Sequence, residues 1–388
     1  MRPDPYPHYA AMRANSPVAF NPTLGVWEVY GYHDIQTVMG DPATFSSNLS
    51  QLQTLVFMDP PRHTQLRRLV ARAFTTKVVA DLEPSIRAIT NVLLDAVADK
   101  GEMDVASDLA FPLPVTVIAE LLGLPASDRD RFKAWSVPAI KAAEMEIQGQ
   151  LPEPHLLDAV GELMAYLDAL VTERERQPRN DLISGLVTAT VDGEHLTRDE
   201  ITSTCRLLLI AGFETTAHLI GNATHLLLQH PQALAQVRAD EELLPSAIEE
   251  ALRYHAPFQF FARIATRDVE LGGQLISAGQ QVMIFNASGN RDEAAFAQAD
   301  VFDVTRTPNR HLSFGHGIHF CLGAGLGRLE ARIAIGTLLR RFPDLQLHAS
   351  KPVLPQLSAV QYAWRSLPVQ FSVEGATPAL DQETCAAQ

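Results

Sequence analysis

Cysteine, basic charge and long apolar runs are all in short supply in this chain. Its three cysteines, Cys205, Cys321 and Cys385, are too few and too scattered for a disulfide framework and fit a reducing compartment. Lysine and arginine number 31 against 45 aspartates and glutamates, a formal net charge of −14. That balance argues against nonspecific nucleic-acid binding through a general basic surface. No stretch approaches the roughly 18–20 uninterrupted apolar residues of a membrane-crossing helix. The opening MRPDPYPHYAAMRANSP is polar and proline-broken, without a signal-peptide core. Internal repeats and low-complexity blocks are lacking too. The expectation is a soluble, cytoplasmic protein with no nucleic-acid or membrane partner.

What is present is a large apolar fraction, 46% of 388 residues, enough to bury a sizeable core. Helical periodicity predicts helices at Pro61–Ala73, Val78–Lys100, Leu113–Leu122, Ala126–Trp135 and Leu156–Gln177, with Lys141–Pro154 read as a mobile connection. The clearest helix is Arg198–Gln229. Thr197 and Glu200 form a capping box at its start, and His230-Pro231 ends it. At about 1.5 Å per residue it would span roughly 48 Å. Short strands are predicted around Val26–Tyr30, at Arg263–Thr266, Val269–Leu271, Leu275–Ile276 and Gln281–Phe285, and near Leu345–Leu347, Val360–Ala363 and Val369–Val373. A helix follows Cys321 to about Arg341. Helix outweighs strand, and residues 375–388 read as a flexible tail after a domain covering 1–374.

Cys321 is the most informative residue. It sits in Phe314-Gly-His-Gly-Ile-His-Phe-Cys-Leu-Gly323, immediately before that helix. Unpaired backbone N–H groups and the positive end of a helix dipole favour a thiolate there. Phe314 offers an aromatic wall, and Gly315 and Gly323 let the backbone approach something large and flat. Two other readings stand beside this one. A lone cysteine is most often an inert buried residue. Zinc could draw on His311, His316, His319 and Cys321, although zinc motifs usually pair their ligands in two clusters, and the glycines and Phe314 would then have no role.

Other segments carry chemistry-bearing residues. Ala211-Gly212-Phe213-Glu214-Thr215-Thr216 puts a glycine, a carboxylate and hydroxyls in the apolar middle of the long helix. Thr215 can bond back to a helix carbonyl, or Ala211 and Gly212 can make room for a flat group while Glu214 and Thr215 relay protons. Glu250 and Arg253 are three apart on one helix face and can pair. His63 and Arg67 are four apart on another helix. Together with Arg263 and His319 they could converge on a pair of carboxylates.

In order, Asp-Pro-Pro-x-His-x-x-x-Arg from Asp59, Ala-Gly-x-Glu-Thr-Thr from Ala211, Glu250-x-x-Arg253, Pro257 to Arg263, and Phe314-x-x-Gly-x-x-x-Cys321-x-Gly resemble the bacterial soluble cytochromes P450. Asn290-Arg291-Asp292 and Phe302-Asp303 resemble the family's meander. The resemblance covers about residues 4–373. It implies a mainly α fold with small β-sheets, a single triangular domain with haem b between the long helix and the Cys321 helix. Cys321 would be the axial thiolate. Glu214 and Thr215 would supply protons for oxygen activation. His63, Arg67, Arg263 and His319 would hold the propionates, with Phe314, Gly315, Ala211, Gly212 and Gly323 around the ring. Glu250 and Arg253 would be a structural pair.

The implied activity is a monooxygenase placing one atom of O2 in a C–H or C=C bond of a hydrophobic small molecule. Nothing resembles a flavin or iron–sulfur module, so electrons from NAD(P)H would arrive through a ferredoxin or flavodoxin and its reductase. The basic run Arg62, Arg68 and Arg72 is either a solvated face or that partner's docking site. By family position the pocket would be lined by Leu207 and Ile210, by Phe258, Gln259 and Phe261, by Leu55, Val56 and Phe57, and by Gln361 and Tyr362. A monomer is expected. Two alternatives are a peroxide-driven haem-thiolate enzyme and a non-catalytic haem-binding sensor.

Overall fold

The computed structural model describes residues 4–49, 54–147, 151–191, 193–356, 358 and 360–373. At its centre the helix Arg198–Gln229 forms over the range the sequence predicts. Its capping box is complete: Glu200 N–H donates to Thr197 Oγ1 at 3.2 Å, and Thr197 N–H donates to the Glu200 carboxylate at 2.9 Å. The middle is apolar nearly all round and so is enclosed by neighbours. Helices Pro112–Leu122, Pro154–Arg176, Leu244–Tyr254 and Ala324–Arg341 pack against it, and the largest apolar core forms around these contacts.

A second core lies under a five-stranded sheet in the order Val18–Asn21, Val26–Val29, Gln281–Ile284, Phe261–Ala265, Phe45–Ser46. One pair, Val26–Val29 with Gln281–Ile284, is parallel; the others are antiparallel. Val29, Phe45, Val282 and Ile284 point inward onto the helix Tyr32–Gly40. Smaller pieces include a three-stranded sheet of Gln346–Leu347, Pro368–Gln370 and Glu102–Asp104, and a hairpin of Leu354–Pro355 with Trp364–Ser366. Mainly helix with small sheets is therefore what the chain adopts.

Several predicted boundaries move for identifiable reasons. The connection expected at Lys141–Pro154 is helical through residue 147, because one helix, Arg129–Ile147, runs on past Trp135 with Pro138 inside it. Residues 148–150 lie outside the described residues. The predicted Val78–Lys100 helix divides into Thr76–Asp81 and Glu83–Asp95, since Pro84 is accommodated in the first turn of the second. Val360–Ala363 contributes only a single bridge, Gln361 to Phe258, and the strand lies at Trp364–Ser366. Helices Tyr6–Asn15 and Tyr32–Gly40 were not predicted. The tail expected at 375–388, with Cys385, lies outside the described residues. Among the described residues no helix is long and apolar enough to cross a membrane.

Candidate functional site

The Cys321 loop is shaped by backbone that side chains would disturb. Gly315 and Gly317 have φ of +75° and +69°, and a Cβ on Gly317 would lie 2.7 Å from the Met39 carbonyl oxygen. Cys321 N–H donates to the Phe314 carbonyl at 2.7 Å, which turns the chain into the helix Ala324–Arg341. Burial pushes the thiol pKa up, while the Gly323 and Ala324 N–H groups and the Arg67 and Arg328 guanidiniums oppose it. The thiol is surrounded by protein yet opens onto a solvent-sized space. Both observations hold if that space is internal. Arg328 stacks over Phe314, 4.3 Å from the ring centre, and is held by Glu249 at 2.7 Å.

The central helix supplies another wall. Leu209 and Phe213 are fully buried, but Ala211 between them is exposed and Leu207, Ile210 and Thr215 are half-buried. These positions share a helix face, so the stripe borders an open volume inside the molecule. A Cβ on Gly327, six residues past Cys321, would meet Thr216 Oγ1 at 3.4 Å. The thiol loop and the Ala211–Thr215 segment are therefore neighbours. Thr215 Oγ1 donates to the Ala211 carbonyl at 2.8 Å. Glu214 is buried; Gln361 Nε2 donates to its Oε2 at 2.8 Å, and His218 Nε2 lies 4.0 Å from its Oε1.

The four groups expected to hold carboxylates do converge. The His63 and His319 rings are 4.2 Å apart, and His319 Nε2 lies 3.0 Å from Ser47 Oγ. Arg67 donates to the Phe320 carbonyl, and Arg263 is buried with its Nη1 on the Ala262 carbonyl at 2.8 Å. Burial and the neighbouring cations push His319 down to about 3, and burial and Arg67 lower His63. Both ring nitrogens of His63 are buried without a hydrogen bond. Orphaned donors beside mutually repelling cations suit an anion between them. With a thiol loop and an internal volume alongside, the residues present fit a flat dianionic cofactor such as haem.

Behind the loop, Glu250 and Arg253 are both fully enclosed and paired by two 2.8 Å bonds. Arg253 also donates to the carbonyls of Asn290, Ala299 and Val301. Glu250 additionally accepts from Arg306, Asn309 and the Asp303 N–H. Asn290 then fixes Leu312 and Ser313, at the entrance to the thiol loop. Sequence reasoning found the pair but missed Arg306 and Asn309, whose roles exist only once the meander is folded.

Other expectations need correction. Gln259 and Tyr362 do not face the internal volume. Gln259 accepts from Tyr9 Oη and donates to the Ala256 carbonyl, and Tyr362 packs on His255, Tyr6 and Trp364. Phe258 bridges Gln361, so their immediate neighbours point the other way. Phe258 and Phe261 stack at 5.2 Å and remain half-buried. A Cβ on Gly212 would meet Ile118 at 3.5 Å, so this glycine lies against the helix Pro112–Leu122, whereas nothing lies near one on Gly323. Leu55, Val56 and Phe57 form a short 3₁₀ turn in which Leu55 is buried and Val56 exposed. Arg62 is tied to Glu200, leaving Arg68 and Arg72 as the exposed cations of that run. The zinc set does not converge: His311 binds Glu249, His319 sits by Ser47 and His63, and Gly40 lies beside His316.

Comparison with known proteins agrees with this geometry. The cytochrome P450 family profile matches residues 153–373. A putative cytochrome P450, YjiB of Bacillus subtilis, is 43% identical over 359 residues, 90% of each chain. Cyclomarin C epoxidase CymV of Salinispora arenicola is 42% identical, covering 87% of this chain and 88% of its own. Crystalline CYP109E1 of Bacillus megaterium with testosterone superposes at a TM-score of 0.89 with 37% identity, over 95% of this chain and all of that one. With a family profile over more than half of its length, relatives above 40% identity over most of both chains and a shared folded framework, the chain belongs to the cytochrome P450 family of haem- and O2-using enzymes.

Proposed function

We propose that this enzyme is a haem-thiolate monooxygenase that oxidises a hydrophobic small molecule with electrons from a ferredoxin or flavodoxin. One observation carries the reading: the Leu207, Ile210, Ala211 and Thr215 face opens an otherwise buried helix onto the space beside the Cys321 loop. Haem b held by Cys321 and the four-donor cluster would supply the oxygen activation. Leu207, Ile210, Phe258 and Phe261 would hold an apolar guest and exclude water from it. Glu214 would bring protons to the Thr215 hydroxyl, whose present partner is a backbone carbonyl it can exchange for a ligand.

The relatives support a bulky apolar or natural-product substrate. One binds testosterone in its crystal, one is a cyclomarin C epoxidase, and one is a hydroxylase of himastatin biosynthesis. The partner docks, in this reading, on the face bearing Arg68 and Arg72, next to Arg67 and the thiol loop.

The test is the absorption spectrum of the reduced, carbon-monoxide-bound protein. The expected Soret band is that of a thiolate-ligated haem, lost in Cys321→Ala. A band at the imidazole-ligated position in the parent protein refutes the assignment of Cys321.

A further inference from the structure

His218 has no place in the scheme so far, yet it is buried in the central helix one turn beyond Glu214. Its Nε2 lies 4.0 Å from Glu214 Oε1, too long for a hydrogen bond and short enough for one bridging water or one side-chain rotation. The other carboxylate oxygen, Oε2, is taken by Gln361 Nε2 at 2.8 Å. Gln361 Oε1 in turn accepts from Gln356 Nε2 at 3.2 Å. Gln356 also bears on the His218 ring, but neither ring nitrogen completes a hydrogen bond. Three polar side chains, Glu214, Gln361 and Gln356, therefore surround an imidazole with two unused nitrogens. Leaving both stranded in the interior is unfavourable, and a polar site with several partners is where a buried water resides.

The cluster leads outward. Gln356 is half-buried at the end of the hairpin strand Leu354–Pro355, with its N–H on the Ala363 carbonyl at 2.9 Å. Ser358 follows it, also half-buried, and its Oγ accepts from the N–H groups of Val360 and Gln361. Amides orient waters but exchange protons poorly. A neutral imidazole can take a proton on one nitrogen and release one from the other. Burial lowers the His218 pKa to about 4, which keeps the ring neutral at neutral pH.

We propose that His218 is a positioning residue for proton supply, linking Glu214 to water at the Gln356 edge of the hairpin. The proposal rests on Glu214 acting as proton donor to the Thr215 hydroxyl. In each transfer Nδ1 accepts a proton from water as Nε2 releases one to Glu214 Oε1. The ring finishes as its other tautomer and resets once Glu214 has passed its proton on: Nδ1 returns its proton to the outer water and Nε2 draws one from a water in exchange with bulk, so the net proton delivered comes from solvent.

The holoenzyme is assayed with a ferredoxin and its reductase, reading oxygen consumption in H2O and D2O, which needs no identified substrate. His218→Gln, which keeps size and hydrogen bonding without proton exchange, is expected to slow consumption at least ~3-fold and raise the solvent isotope effect. Glu214→Gln should do the same, and the double variant should add little. An unchanged rate and isotope effect in His218→Gln, with both altered in Glu214→Gln, overturns the His218 proposal alone. No change in Glu214→Gln overturns the role of Glu214 and the proposal with it. A second readout covers misfolded variants: ring-¹⁵N histidine spectra of the reduced, carbon-monoxide-bound parent protein. A His218 ring N–H that exchanges with bulk water within minutes is expected. Protection over days refutes the link.

Discussion

Replacing Arg253 with leucine isolates the energetic centre of the thiol-loop support. The side chain is fully enclosed and makes five hydrogen bonds, two to Glu250 and one each to the carbonyls of Asn290, Ala299 and Val301. Breaking a buried ion pair by removing one partner costs about 3–5 kcal/mol. Glu250 is not left alone, because Arg306, Asn309 and the Asp303 N–H still reach it. The three stranded carbonyls add to the loss, on the order of 1 kcal/mol each if water does not replace the guanidinium. With Glu250 still held by those donors the pair's share falls well below that range, and with the carbonyls the loss comes to about 4 kcal/mol, a large part of the roughly 5–15 kcal/mol that typically holds a domain together. At about 1.4 kcal/mol per factor of ten, it corresponds to nearly a thousandfold in the opening equilibrium. Native-state hydrogen exchange reads this locally, through the Leu312 amide, which donates to Asn290 Oδ1 at 2.7 Å. Its protection should fall on the order of 10²–10³-fold. Arg306→Leu is the comparator, since Arg306 is partly exposed and reaches Glu250 only at 3.1–3.2 Å; it should cost about 1–2 kcal/mol. Equal loss of protection in the two variants would refute this reasoning.

Four further outcomes are expected. Burial holds the His225 pKa down to about 4, against an ordinary value near 6.5. Because protonation favours the unfolded chain, its stabilising contribution is complete above about pH 6.5 and drains away as pH falls toward 4. His225→Gln should flatten the decline of the urea midpoint over that window, and an unaltered slope would count against the assignment. Gly317→Ala should lower the thermal midpoint through about 1–3 kcal/mol of backbone strain. Gly161→Ala, on an open face of the helix Pro154–Arg176, should raise it through about 0.5–1 kcal/mol. Arg72→Glu should weaken ferredoxin-driven turnover several-fold at low salt and little at high salt, within the roughly 8–10 Å reach of unscreened charge. Unchanged turnover at low salt would remove this face from partner docking.

Local signals made much of this architecture legible, and the failures share a cause. The central helix was readable end to end because Thr197, Glu200 and His230-Pro231 mark its limits within a few residues of each end. The helix Arg129–Ile147 outruns the predicted end at Trp135, with Pro138 accommodated inside it, because tertiary packing rather than local propensity carries it on. The anion cluster is legible from three separated segments, each too weak alone. Gln259 and Tyr362 enter the expected pocket by family position alone, which names a segment without saying which of its residues face inward; the Phe258–Gln361 bridge supplies that phase. Arg62 looked like a free surface cation, and only the fold brings Glu200 to it. His218 escaped notice for the same reason, as its significance depends on Gln356 and Gln361 arriving from much later in the chain.

The gathering of His63, Arg67, Arg263 and His319 has a consequence for the life of this protein in a cell. Groups that depress one another's proton affinity oppose the assembly of the segments that carry them, so an anion between them stabilises the fold as well as the site. With haem as that anion, folding and cofactor capture would be linked, each tenfold rise in free haem above its dissociation constant adding about 1.4 kcal/mol to the native state. A shortage of haem would then expose more of the chain to proteolysis, and less would accumulate. The abundance of this enzyme would then track the supply of its cofactor without any dedicated regulator.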